Sequence, residues 1–215
     1  GEPKEEPGTV DGIYVKARQS PSFLTNTAST TFDRLTALLL NEEIASLVEY
    51  KMAQTKVAAG RRDAAIAPTT KLDEVIARWQ EIFPSNQVLR QGGRLLFARD
   101  GQDDRYSQVR LSDGEKAVLY YFGALLYAPR NAVVFVDSPE MFLHPSLQQK
   151  TWDSLEAMRP DCRFVYTTHD LDFTATRQRD LLLWVRGYDT AGEGWDYTIL
   201  PRGAGISDEV YMAII

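Results

Sequence analysis

The chain is short of several things that whole classes of function require. It has one cysteine, Cys162, which rules out an intrachain disulfide and makes a reducing cytoplasm the expected setting. It has two histidines, His144 and His169, too few and too scattered for a zinc site. No apolar run approaches the ~20 residues that a membrane-spanning helix needs, so no membrane partner is expected. Residues 1–8 are polar and acidic and lack signal-peptide character; they begin on Gly1 rather than Met, as expected of an internal fragment. The net charge of −6 argues against a nucleic-acid footprint over the whole chain, although a local basic face would escape that test. Finally, G-x-x-x-x-G-K-S/T occurs nowhere. Gly60 is the only glycine between residues 13 and 91. A phosphate-cradling loop is therefore expected upstream of these residues, not among them.

What is there suits a globular protein: 44% apolar and 25% charged residues in a length of 215. Residues 1–12 are expected to be a disordered lead. Residues 13–105 read as a helical subdomain with flanking strands, and residues 106–215 as an α/β core. In the first region, Ile13–Ala17 reads as a short strand. Phe32, Leu35, Leu38, Leu39, Ile44, Leu47 and Val48 recur at helical spacing over residues 31 to about 59, and Gly60 with Arg61 and Arg62 closes that helix. A second helix is predicted from Lys71 to Phe83, with Thr70 as its cap. Gln91-Gly92-Gly93 is a turn, and Leu95–Arg99 with Tyr106–Leu111 is predicted to form a hairpin around Asp100-Gly101.

Beyond residue 111 the pattern changes. A helix is predicted over 114–128, a strand over 132–137, a helix over 146–158 and a strand over 163–168. Two buried strands joined by a helix make a βαβ unit, so a parallel sheet is expected. Leu181–Val185 and Trp195–Leu200 predict a closing hairpin, and Asp208–Ile214 a terminal helix. Arg61-Arg62 and Arg177-Gln178-Arg179 read as solvated faces rather than as a DNA site.

Three motifs carry chemistry, and they follow one another in a fixed order. Leu111-Ser112-Asp113-Gly114-Glu115-Lys116 opens a helix. Ser112 offers a hydroxyl, Gly114 allows close backbone approach, and the helix directs its positive end outward, so the loop suits a phosphate. It is equally an ordinary N-cap, with Glu115 in the first turn. Next, Asp137 ends an apolar strand, the place where open α/β sheets bind ligands and where a nucleoside triphosphatase holds Mg²⁺. Ser138 follows it and cannot act as a base at neutral pH. Glu140 is then either the carboxylate that activates water or a structural acid. Last, His169 ends the second strand, where an imidazole can hydrogen-bond a γ-phosphate or the attacking water. His144 is read as a turn residue. Gln19 is either a plain loop glutamine or a link from Mg²⁺ to the helical subdomain.

Residues 106–213 resemble the ABC-type AAA-family ATPases allied to the overcoming-lysogenization-defect, RecF and SMC proteins. They look most like bacterial proteins in which a TOPRIM-like domain follows the ATPase. The likeness rests on Leu111–Lys116, Asp137-Ser-Pro-Glu-Met-Phe-Leu-His-Pro145, Phe164-Val-Tyr-Thr-Thr-His-Asp-Leu-Asp-Phe173 and Trp184-Val185. It implies an ABC-ATPase-like P-loop NTPase core with a partly parallel sheet, and a helical subdomain before the signature loop. It implies ATP and Mg²⁺ as cofactors, with Asp137 on the metal, Glu140 and His169 in catalysis, and Ser112, Gly114, Glu115 and Gln19 as nucleotide-site residues. It also implies a homodimer closed around two nucleotides and a coupled effector or TOPRIM-like domain. Work in DNA transactions or phage defence, with nucleic acid as a partner, follows only by analogy with the family. The resemblance places a Glu after the metal-binding Asp. Ser138 departs from it, which leaves open a non-hydrolysing scaffold that gates a partner.

Overall fold

The computed structural model describes residues 26–58, 67–102, 104–177 and 179–200. The expected disordered lead, the strand at Ile13–Ala17, Gln19, the helix stop at Gly60–Arg62 and the terminal helix at Asp208–Ile214 all lie outside them. Two compact units divide after Arg130, covering residues 1–130 and 131–215. No helix among the described residues is long and apolar enough to cross a membrane.

The first unit is built on three helices. Helix α1 (Asn26–Ala58) buries Phe32, Leu35, Leu39 and Leu40. Farther along the same helix, Ile44, Leu47, Val48 and Met52 are exposed, although the spacing predicts one continuous inward stripe. The reason is coverage. The first half of α1 is approached closely by the backbone at Gly123, beside Leu35 and Leu39, and is paired at Glu42 with Lys71 and at Glu43 with Arg90. In the second half the apolar side chains stand in solvent, Met52 by 61%.

Helix α2 (Lys71–Ile82) starts where expected. Thr70 accepts from the Asp73 N–H, and the Asp73 carboxylate accepts from the Thr70 N–H at 2.7 Å. This reciprocal box satisfies two otherwise orphaned donors. The stripe Leu72, Val75, Ile76, Trp79 and Ile82 is buried. Pro84, just beyond, disfavours helical backbone at Phe83 and so helps stop the helix.

A three-stranded antiparallel sheet follows, made of β1 (Asn86–Gln91), β2 (Arg94–Arg99) and the two-residue β3 (Tyr106–Ser107). The expected hairpin between Leu95–Arg99 and Tyr106–Leu111 is present, β2 pairing antiparallel with β3, and a second hairpin, not expected from the sequence, joins β1 to β2 at the expected Gly92-Gly93 turn. Both glycines have positive φ, 60° and 70°, the combination that a two-residue turn between twisted strands needs. The predicted strand Tyr106–Leu111 lasts only two residues before it winds into a 3₁₀ turn at Gln108–Arg110.

Helix α3 (Asp113–Leu126) buries Ala117, Val118, Leu119, Phe122 and Leu125. Gly123 permits close approach to α1, because a Cβ there would lie 2.9 Å from Leu35 Cδ2.

The second unit contains the expected βαβ arrangement. β4 (Val133–Asp137) and β5 (Arg163–Thr167) pair in parallel, joined by α4 (Pro145–Met158). The strands are less buried than predicted. Alternate residues Val133, Phe135 and Val165 are exposed, Phe135 by 76%, while Trp152 of α4 packs edge-on against Tyr166 on the other face. A short helix α5 (Leu171–Thr176), which the sequence reading did not include, follows β5. β6 (Leu182–Asp189) and β7 (Gly194–Leu200) form the expected hairpin.

Two outcomes test this framework. Trp79 is fully buried, its indole N–H donates to the Glu115 carbonyl at 2.9 Å, and its ring meets Phe97. Trp79→Ala should therefore cost about 3–5 kcal/mol in denaturant unfolding. Asp161 joins Arg159 (2.7 Å) to the Asn131 N–H (2.9 Å) before β4. The Arg159 guanidinium, then the Asn131 N–H, hold its carboxyl well below its ordinary 3.8. Such a group stabilises the fold above about pH 4, and that contribution is lost as pH falls through the lower folded value. Asp161→Asn should lower the thermal midpoint at neutral pH, and the gap to wild type should close in acid.

Candidate functional site

The carboxyl end of the parallel pair is where the predicted residues meet. Register places Asp137 opposite Thr167. The Thr167 hydroxyl donates to Asp137 Oδ1 at 2.6 Å, and the Ser138 N–H donates to the Thr167 carbonyl at 2.8 Å. The ladder therefore runs one residue past the strand. There the backbone breaks sharply: Ser138 has φ of 54°, the left-handed region that non-glycine residues rarely enter. The Met141 N–H closes a turn on the Ser138 carbonyl at 3.0 Å. Pro139 is buried, and its carbonyl accepts from the Trp152 indole at 3.0 Å.

This turn sends Glu140 back to β5, where Glu140 Oε2 accepts from the Thr168 hydroxyl at 2.7 Å. The same hydroxyl accepts from the Asp170 N–H at 2.9 Å. Asp170 in turn caps α5 through the Phe173 N–H at 2.8 Å. His169 lies between these two anchored residues and is exposed, as is Asp137, while Glu140 is half-buried. Asp137, Glu140 and His169 thus gather at one end of the β4–β5 pair, each acid held by a threonine from the end of β5. The sequence reading passed over Thr167 and Thr168 as flanks of the histidine. The available signal was two adjacent hydroxyls at the end of a strand parallel to the one that Asp137 ends.

A buried polar frame supports this end of β5. The Tyr166 hydroxyl donates to Glu156 at 2.6 Å. Arg177 donates through Nη1 to Asp153 at 2.9 Å and to Glu156 at 3.1 Å, and its guanidinium lies over the Tyr166 and Phe173 rings. Burial, reinforced by the bond to Glu156, pushes the Tyr166 phenol far above its ordinary value. Arg177 is only 6% exposed, which corrects the expectation of a solvated arginine face. Two acids of α4 make its burial tolerable. His144 caps α4, its Nδ1 accepting from the Ser146 N–H at 3.3 Å. It is a turn residue, as expected.

In the first unit, Ser112 and Glu115 form a complete capping box at the start of α3. Glu115 Oε2 accepts from the Ser112 N–H and from the Ser112 hydroxyl, both at 2.8 Å, while Oε1 accepts from Asn86 at 2.7 Å. Both carboxylate oxygens of Glu115 are therefore engaged in holding the helix start. Ser112 and Asp113 are exposed and Gly114 is half-buried, so the positive end of α3 is open to an anion. Gln19 lies outside the described residues.

As for cofactors, no group of three His, Cys, Asp or Glu side chains among the described residues is close enough together to hold a metal ion by itself. Mg²⁺ does not need one. It is commonly held by one or two carboxylates together with water and substrate phosphates. The exposed carboxylate of Asp137, fixed through Oδ1 by Thr167, fits that demand.

Comparison with known proteins adds three findings. A family model described as "AAA domain, putative AbiEii toxin, Type IV TA system" matches residues 34–174. A solved structure from work on "ATP-driven dimerization and DNA stimulated activation of SMC ATPases" is similar over 65% of this chain and 88% of its own, with 17% identity and a TM-score of 0.44. No curated protein matches.

The capping geometry makes a direct prediction. Ser112→Ala removes the acceptor for the Glu115 N–H and should cost about 1 kcal/mol. Ser112→Thr, which keeps the hydroxyl, should recover most of it. Equilibrium unfolding monitored by tryptophan fluorescence checks both.

Proposed function

Starting from the fact that the chain belongs to this AAA domain family of ATPases, we propose that it is the C-terminal part of an ABC-type ATPase that binds and hydrolyses Mg-ATP. The observation that carries this reading is the joint placement of Asp137, Glu140 and His169 at the carboxyl end of parallel strands, with both acids anchored by hydroxyls of the neighbouring strand end. No P-loop motif occurs in the sequence. The phosphate cradle is accordingly assigned to preceding sequence in the parent protein, and the chain on its own to a poorly active state.

Asp137 would hold Mg²⁺, which when bound neutralises and bridges phosphate oxygens. Glu140 would take the proton of the attacking water through the carboxylate oxygen not given to Thr168. His169 would donate a hydrogen bond to the γ-phosphate or orient the water. The start of α3, with Ser112 and Gly114, would complete the site of a second copy, so that two nucleotides close a homodimer. Glu115 serves that loop by fixing its shape, and Gln19 would link metal to helix. Closure on ATP and opening after hydrolysis would then drive an effector, such as a TOPRIM-like domain, in DNA transactions or phage defence.

Ser138 favours a second reading, in which the fold dimerises and gates a partner without turnover. Hydrolysis by the full-length protein separates the two. Glu140→Gln and His169→Ala should each lower kcat for ATP by more than about tenfold, ~1.4 kcal/mol of barrier. Equal rates in wild type and both variants would favour the scaffold.

A further inference from the structure

We propose that Thr168 is a positioning residue that makes Glu140 and the His169 turn a single mechanical unit. The inference rests on the reading of Glu140 as the base.

A threonine hydroxyl has one proton to donate and two lone pairs. At Thr168 the proton goes to Glu140 Oε2 at 2.7 Å, and the Asp170 N–H occupies a lone pair at 2.9 Å. Each bond orients the other. With the backbone N–H delivered to the hydroxyl from one side, the proton is directed to the carboxylate on another. Linked hydrogen bonds of this kind also polarise one another.

The consequence is geometric. Glu140 sits on a turn whose left-handed residue, Ser138, is joined to β5 by its own N–H. Asp170 sits at the cap of α5, held by the Phe173 N–H. Between these two rigid supports, Thr168 is the one described side chain that bonds to both Glu140 and the residue after His169. Thr167, its neighbour, serves Asp137 instead. Adjacent hydroxyls therefore divide the work: one fixes the metal acid, the other ties the base to the histidine turn. A displacement of His169 would be transmitted to Glu140 through a single hydroxyl.

Three measurements on the full-length protein test this. In the nucleotide-free state, hydrogen exchange of the Asp170 amide should accelerate in Thr168→Val, which lacks the acceptor. It should also accelerate in Glu140→Ala, which leaves the acceptor but removes the carboxylate that orients it. In turnover, Thr168→Val should lower kcat about tenfold with KM for ATP unchanged, and Thr168→Ser should restore most of the rate. In a Glu140→Gln background, Thr168→Val should cause no further loss, because both changes act through one group. An unchanged Asp170 amide in Glu140→Ala, a KM effect in place of a kcat effect, or failure of the serine to rescue would each overturn the proposal. Full turnover in Glu140→Gln is a different failure: it would remove the base assignment itself, and this inference with it.

Discussion

The candidate site depends on the register of one pair of strands. β4 and β5 lie far apart in sequence and meet only through the βαβ crossover. Their pairing sets Asp137 against Thr167. Side chains alternate across a sheet, so a slip of one residue would turn Thr167 away from Asp137 and move the Thr168 hydroxyl away from Glu140. Register is held at both ends. At the start, the Arg163 N–H donates to the Ala132 carbonyl and Asp161 accepts from the Asn131 N–H. At the finish, the Ser138 N–H donates to the Thr167 carbonyl. Side chains set the same alignment, since α4 reaches one face of β5 through Trp152 and Tyr166 and leaves Phe135 and Val165 exposed on the other.

Stiffness behind the site comes from polar burial. Glu156 accepts from both Tyr166 and Arg177, and Arg177 lies over two aromatic rings. These contacts join α4, β5 and the end of α5. A buried guanidinium is costly unless it is paired, and here both its acids come from one helix, which ties α5 to α4. The turn that carries His169 is therefore supported at Tyr166 before it and at Asp170 and Arg177 after it. His169 itself stays exposed. An exposed imidazole on a fixed turn suits contact with an incoming ligand better than a part in the core.

Much of this was legible in the sequence, and the division follows the range of the physics. The capped starts of α2 and α3 were legible because N-cap chemistry is local: Thr70 with Asp73, and Ser112 with Glu115, are three residues apart. The βαβ unit was legible from apolar strands flanking an amphipathic helix. β1 was not, because Asn86–Gln91 is mostly polar and has no clean alternation, and its strand state is imposed by the Gly92-Gly93 turn and by β2. The exposed second half of α1 was hidden too, since periodicity reports which side of a helix is apolar and not how far its neighbours extend. The buried state of Arg177 and the two threonine anchors depend on partners on other elements. For such pairs, residue type gives chemistry but not address.

Ser138 shows how a local cost is turned to geometric use. A non-glycine residue in the left-handed region costs on the order of 1–2 kcal/mol. The next three residues explain why the chain accepts it. Pro139 follows at the second position of a turn closed by the Met141 N–H, where its fixed φ is favourable. Glu140 then begins a second turn, closed by the Leu143 N–H, in which Phe142 also takes a positive φ of 65°. Glu140 therefore stands at the junction of two consecutive tight turns and is directed back toward β5. An acid placed directly after Asp137 would project from residue 138 itself, within the ladder's last hydrogen bond. An acid at 140 reaches the strand end from outside the ladder, and Thr168 meets it there. The serine at 138 and the carboxylate at 140 are thus two aspects of one backbone path.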